Sequence, residues 1–180
     1  MMRLRILAAA GLASAVVAGG WSHATQMQVP RVSAQDFTEI QDLLWTNHTG
    51  YDFAQRDNGD MWTSTFLPDA VLDNGSTHLE GQTAIRRYAT DYYKADPKRI
   101  LRHWTSTFHV TPNAVGATLS AFYFTMTQDQ GKPGLNIGVA GRYESLVVKT
   151  DAGWRLKHHV VYGEGAVSLA PRTGVPAPIR

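Results

Sequence analysis

The sequence predicts an α+β fold, and three observations carry that prediction. Apolar residues recur at helical spacing through the first half of the chain. Four β-rich segments follow one another in the second half, and no internal repeat interrupts that order. A chain of 180 residues arranged this way reads as one domain, long enough to bury a substantial core.

The first element predicted is an export signal. "MMRLR" supplies a basic start, "ILAAAGLASAVVAGG" an apolar run and "SHA" a small-x-small cleavage site, so residues 1–24 read as a signal peptide removed after Ala24. The apolar run is shorter than the roughly 20 residues a spanning helix needs, which argues against a stable membrane anchor. Cleavage takes Arg3 and Arg5 away and leaves 15 basic residues against 15 acidic. The isoelectric point near 9.0 is then mostly the signal's, and no nucleic-acid surface is indicated. The chain has no cysteine, which excludes disulfides, a lipoprotein anchor, thiol catalysis and zinc–thiolate sites. Export without cysteine points to a periplasmic or secreted protein.

A polar lead, 25–32, precedes the domain proper, 33–165, and a Pro-rich tail, 166–180, follows it. Ser33 and Asp36 resemble a capping box, and Ile40, Leu44, Asn47 and Tyr51 then recur on one helical face with Leu43 and Ala54 beside them. Asn58-Gly59 ends that helix. "MWTSTFLPDA" reads as a second, short helix broken by Pro68, and "AVLDNGSTHLEG" as a hairpin turning at Asn74-Gly75. "GQTAIRRYATDYYKA" is helical again and stops before Pro97. The strands are "ILRHWTSTFHVTP", "GATLSAFYFTMTQ", "NIGVAGRYESLVVKT" and "GWRLKHHVVYGEG". In the first of these, alternation puts His103, Thr105, Thr107 and His109 on one face and Trp104, Ser106, Phe108 and Val110 on the other. Hydrophobicity alone would bury the Trp/Phe face.

Four stretches together resemble the SnoaL-like domains of the nuclear-transport-factor-2-like superfamily. They are "DFTEIQDLL…Y…RDNGD…W…TFLPDAVLDNG", "LEGQTAIRRY", "RHWTST" and "GRYESLVVKTDAGWRLKHH", running from about Asp36 to His159. The resemblance implies a cone-shaped α+β barrel, in which a curved, mostly antiparallel sheet wraps three helices around a deep pocket. It reverses the reading of "RHWTST", turning His103 and the threonines toward the pocket and the aromatics toward a subunit contact. The homo-oligomer so implied is a dimer or trimer joined through the outer sheet face.

Relatives of this kind include polyketide cyclases, scytalone-dehydratase-like lyases, ketosteroid isomerases, epoxide hydrolases and cofactor-free lyases that release formaldehyde from lignin-derived diarylpropanes. Many are not catalytic, so the site has to be argued residue by residue. The resemblance makes His103 the leading catalyst, since an imidazole can take or give a proton without a cofactor. It implies an acid at the end of the first helix, which is Asp57 in one register and Asp52 in another. "RDNG" also accounts for Asp57 as a turn residue alone. Tyr51, on the same helix, completes the candidate catalytic set. Candidate substrate-binding residues are Asn47, Trp62, Thr105, Thr107, Tyr143 and His158. Of the adjacent histidines only one can point inward, and His158 shares parity with Trp154, Leu156, Val160 and Tyr162.

No G-x-S-x-G, P-loop or dinucleotide fingerprint is present, and no same-face histidine pair suggests a metal. The expected function is therefore a cofactor-independent lyase, dehydratase or deformylating, acting on a small aromatic or phenolic compound such as a lignin-derived diarylpropane. The alternatives are a polyketide-cyclase or isomerase-like enzyme, and an exported binding or dimerisation module in which His103, Asp57 and Tyr51 do not converge.

Overall fold

A computed structural model describes residues 31–128 and 133–166 of the chain. The expected signal peptide, most of the polar lead and nearly all of the Pro-rich tail lie outside the described residues. Among the described residues four helices come first or early: α1 (Ala34–Asp52), α2 (Ala54–Asp57), α3 (Asp60–Ser64) and α4 (Gly81–Ala95). Six strands are β1 (Phe66–Asn74), β2 (Thr77–Glu80), β3 (Ile100–Pro112), β4 (Ala117–Gln128), β5 (Asn136–Thr150) and β6 (Gly153–Ala166). They form one curved, unclosed sheet in the order β2-β1-β6-β5-β4-β3, antiparallel except where β1 runs parallel to β6.

The N-terminal cap of α1 is reciprocal. Ser33 Oγ accepts from the Asp36 amide at 3.1 Å, and Asp36 Oδ2 accepts from the Ser33 amide at 3.0 Å. The other carboxylate oxygen of Asp36 takes Lys149 Nζ at 2.6 Å and Trp154 Nε1 at 3.1 Å, tying the helix start to β5 and β6. Lys149, then Ser33, hold the Asp36 carboxyl far below the usual carboxylate range. Along α1, Ile40, Leu43, Leu44 and Asn47 are buried, the i, i+3, i+4, i+7 stripe of a helix lying on a sheet. Their neighbours in the core are Ile85 of α4 and Leu119, Val147 and Leu156 of the sheet. Each such aliphatic side chain contributes about 1.5–3 kcal/mol by leaving water.

Two sequence expectations for the first half are corrected. The helix breaks at Phe53, and the short helix α3 is over by Ser64, so Pro68 lies within β1 rather than ending a helix. Pro68 is tolerated there because β1 pairs with β6 at Phe66 and again only from Val71, so no ladder bond needs its missing N–H.

Two extra residues in the sheet matter more. Between Ser106 and His109, β3 carries one residue more than its partner β4, and Thr107 at that point has φ 58°. Alternation therefore resets: His103 and Thr105 point inward, Trp104 and Ser106 outward, and beyond Thr107 it is Phe108 and Val110 that pack on the core. Phe108 is thus not on the outer face, and Thr107 is exposed rather than in the pocket wall. Likewise β6 gains Lys157 relative to β5, since Leu146 pairs with His158 and Val147 with Leu156. That single residue turns His159, not His158, toward the interior.

Candidate active site

The concave side of the sheet, closed by α1, α3 and α4, encloses a cavity of about 260 Å³. Its walls are largely aromatic: Tyr51, Trp62, Tyr88, Tyr92, Tyr123 and Tyr143 all face it. Polar groups enter from α1 through Asn47 and His48, from β3 through His103, from β4 through Thr125 and from β6 through His159.

His103 and Asp52 form a closed pair at one side of this cavity. His103 Nδ1 lies 2.6 Å from Asp52 Oδ1, and the His103 backbone N–H donates to Asp52 Oδ2 at 2.9 Å. The fold explains the second bond. β3 is an edge strand, so the N–H groups pointing away from β4 need partners, and the last turn of α1 supplies one. Asp52 is fixed in turn by Tyr93 of α4, whose hydroxyl donates to the Asp52 carbonyl at 2.9 Å and satisfies a helix-end acceptor. Both side chains are largely buried, Asp52 more completely than His103. A carboxylate on Nδ1 holds the proton there, leaving Nε2 as the basic nitrogen.

The acid of the pair is therefore Asp52. Asp57 accepts from the Gly59 and Met61 amides at 3.0 and 2.7 Å, closing the turn around the left-handed Asn58 and Gly59. It does not line the cavity. The physical reason is chain length: the α2 turn intervenes between α1 and α3 and carries Asp57 past the end of the site.

Tyr51 lies beside the pair, its ring edge-on to His103 at 5.7 Å and to Trp62 at 4.9 Å. Burial, then the neighbouring Tyr88, Tyr92 and Tyr93, push its hydroxyl pKa well above the usual value, so it stays protonated. Asn47 lines the cavity while its Nδ2 donates to Thr65 Oγ1 at 2.8 Å. Thr105 lies behind the wall rather than on it, with Oγ1 2.8 Å from His48 Nδ1. Tyr143 is buried in the wall and stacks on Tyr123 at 4.2 Å. Desolvation raises its hydroxyl pKa strongly. His158 is turned to the outer surface, where Nε2 meets Asp73 Oδ2 at 2.6 Å.

Sequence reasoning missed His48 and passed over His159. His48 is stacked on His103 with ring centroids 5.2 Å apart and lies 5.0 Å from Tyr143, which lies 5.0 Å from His159. Desolvation first, and His103 second, hold both imidazoles in the neutral form; His159 is pushed down to about 3 and His48 well below its ordinary value. A signal for His48 existed: His48 and Asp52 stand at i, i+4, one stripe over from Asn47 and Tyr51. For His159 none did, because Lys157 looks like any other strand residue.

The arrangement provides a carboxylate-oriented imidazole, two neutral imidazoles and an aromatic-walled cavity. The chain belongs to the SnoaL-like domain family, whose profile matches residues 32–160. Its fold is similar to that of a Novosphingobium aromaticivorans protein provisionally named an aromatic ring hydroxylase, at 24% identity over 77% of this chain and 95% of that one, with a TM-score of 0.65. A second protein of that organism, provisionally named a scytalone dehydratase, matches at 14% identity over 81% and 95%, with a TM-score of 0.62. ActVI-ORFA of Streptomyces coelicolor matches at 15% identity over 73% and 97%, also with a TM-score of 0.62. Among curated proteins, no sequence matches the chain.

Proposed function

We propose that this SnoaL-like chain is a cofactor-independent lyase acting on a small aromatic or phenolic substrate, with His103 as acid–base catalyst. The observation carrying this reading is the Asp52–His103 pair at the wall of an aromatic cavity large enough for a single- or double-ring compound. The name of the Novosphingobium scytalone-dehydratase-like structure is consistent with a dehydrating member among its fold relatives.

In a dehydration, His103 Nε2 removes a proton from the carbon next to the one bearing the hydroxyl. The C–H electron pair becomes the new C=C bond, the C–O bond breaks, and the imidazolium returns its proton to the departing hydroxide as water. In a deformylation, the same nitrogen takes the proton of a hydroxymethyl group. The C–C bond breaks, formaldehyde leaves, and the carbanion recovers the proton from the imidazolium. Asp52 stabilises the imidazolium in both, and the tyrosine-rich walls hold the ring in place. Secretion or periplasmic residence remains part of this proposal, through residues 1–24.

The test is turnover of a panel of phenolic alcohols and hydroxymethyl diaryl compounds, read as dehydrated product or formaldehyde. His103→Ala and Asp52→Asn are expected to lower kcat by roughly 10²–10⁴ in a folded protein. An unchanged rate in folded His103→Ala excludes His103 as catalyst.

The outer sheet face supports a second proposal, self-association. Trp104 is 58% exposed and Phe122 53%, and Trp104 stacks on Phe124 at 6.1 Å. Such an apolar patch on a soluble surface calls for a cover, and a second copy of this face would supply it. Sedimentation of the wild type and of a Trp104→Ser, Phe122→Ser double variant tests this. A monomer in both discards it.

A further inference from the structure

His48 and His159 share one wiring scheme on the cavity wall. Each is buried, each lines the cavity, and each has Nδ1 tied to a hydroxyl on the sheet: Thr105 Oγ1 at 2.8 Å for His48, Ser145 Oγ at 2.7 Å for His159. Among the described residues no hydrogen bond is made by Nε2 of His48, and the hydrogen bond of His159 is at Nδ1. For His48 that nitrogen is buried outright without a partner, a condition that costs about 1–3 kcal/mol and is rare in cores. Tyr143 separates the two rings, 5.0 Å from each.

The partners define what these rings offer. A hydroxyl on Nδ1 can donate to it, which places the ring proton on Nε2; His48 Nε2 is sealed within the wall, which leaves His159 as the cavity-lining ring with an N–H to offer. Neither ring has a carboxylate partner, whereas His103 has Asp52, so the wall holds a carboxylate-paired imidazole at His103, with His48 stacked on it, and an uncharged one at His159 beyond Tyr143. With the Asp52 carboxylate nearby and no cation among the cavity-lining residues, the cavity suits a neutral ligand.

We propose that His159 is a substrate-positioning residue whose Nε2 hydrogen-bonds an uncharged oxygen of the substrate, a hydroxyl or carbonyl, on the side away from His103. The substrate then carries at least two oxygen functions, one worked on at His103 and one held at His159. This rests on the proposed reading of the cavity as a site for small aromatics. It adds a residue, and a substrate feature, that the acid–base pair does not require.

The test uses the full-length mature protein with phenol, catechol, resorcinol and hydroquinone as probes. Binding is titrated, and the ring nitrogens are followed by proton–nitrogen correlation spectra of nitrogen-15-labelled protein. At least one dihydroxybenzene is expected to bind about tenfold tighter than phenol and to move the His159 Nε2 resonance. In His159→Phe the gap between dihydroxybenzene and phenol is expected to close to within about twofold. A gap that survives in His159→Phe, or a His159 resonance that binding does not move, overturns the proposal. The spectra are read on the wild type, so a variant that fails to fold does not remove the test. Phenol binding without any gap overturns the role of His159 alone. Failure of every probe to bind overturns the aromatic-site reading with it.

Discussion

His158 and His159 are adjacent on one strand and live in opposite chemical worlds. His158 lies on the outer surface, where it and His78 of β2 share the two oxygens of Asp73, each at 2.6 Å. His159 lies on the cavity wall, where its partner is the Ser145 hydroxyl. The carboxylate partner first, and Glu80 second, raise the pKa of His78, while burial pushes His159 down to about 3. The lesson is that the partner and the depth, not the residue type, decide whether a histidine here carries charge. Among the cavity histidines His103 is the one bound to a carboxylate.

The largest expected effect comes from exchanging that partner. Asp52→Asn makes the inner pair resemble His159 and its neutral hydroxyl, and should cost roughly 10²–10⁴ in kcat with little change in fold. A kcat within a few-fold of the wild type would mean that the carboxylate is not what distinguishes His103.

Next is a break in the inner wall itself. Gly50 faces the α3 backbone so closely that an added Cβ would overlap the Trp62 nitrogen. Trp62 cannot yield without moving a backbone, so Gly50→Ala should destabilise by about 3 kcal/mol in urea unfolding and displace Trp62 from the cavity. Gly75, at the outer hairpin, has nothing within 4 Å of an added Cβ, and there the penalty comes from its positive φ alone.

Acid separates the two regions by sign. His48 and His159 have folded pKa values below the unfolded value near 6.5, so the unfolded chain binds the extra protons. Their neutral burial is fully compatible with folding above about pH 6.5, and stability falls as pH drops below it, by up to about 1.4 kcal/mol per unit for each ring. For His159 that loss continues toward about pH 3. His159→Phe should remove about one proton's share of the slope, read from denaturation midpoints between about pH 6.5 and 4. An unchanged slope would show that His159 is not buried neutral.

The smallest effect lies outside. His78 has a raised pKa, so the support it gives is complete below about 6.5 and fades as pH rises through its folded value. Asp73→Asn should lower the thermal midpoint slightly near pH 5.5 and much less near pH 8.5, with cavity binding unchanged. An equal drop at both pH values would detach the effect from His78.

Much of the architecture was legible in the chain. The Ser33–Asp36 cap, the stripe Ile40, Leu44, Asn47, Tyr51, the Asn74-Gly75 hairpin and the four long strands are local statements about propensity and period, and each element lies where those patterns put it. Tyr51 could be chosen from the readable face of its helix, whereas His103 came from the family resemblance, against the face that hydrophobicity alone would have buried. Asp57, Thr107 and His158 went astray for a shared reason: one or a few extra residues shift everything after them. The α2 turn carries Asp57 past the site, the left-handed Thr107 resets β3, and Lys157 resets β6.

By itself, then, the sequence determined the α+β order, the cap of the first helix and the strand spans, and its resemblance to SnoaL-like domains supplied an inward His103. Tertiary structure alone decided that Asp52 reaches the edge of β3, that His48 stacks behind His103 and that His159 faces inward. Those outcomes turn on register, which strands settle by pairing with neighbours dozens of residues away, and a period-two pattern has no memory of where it was interrupted.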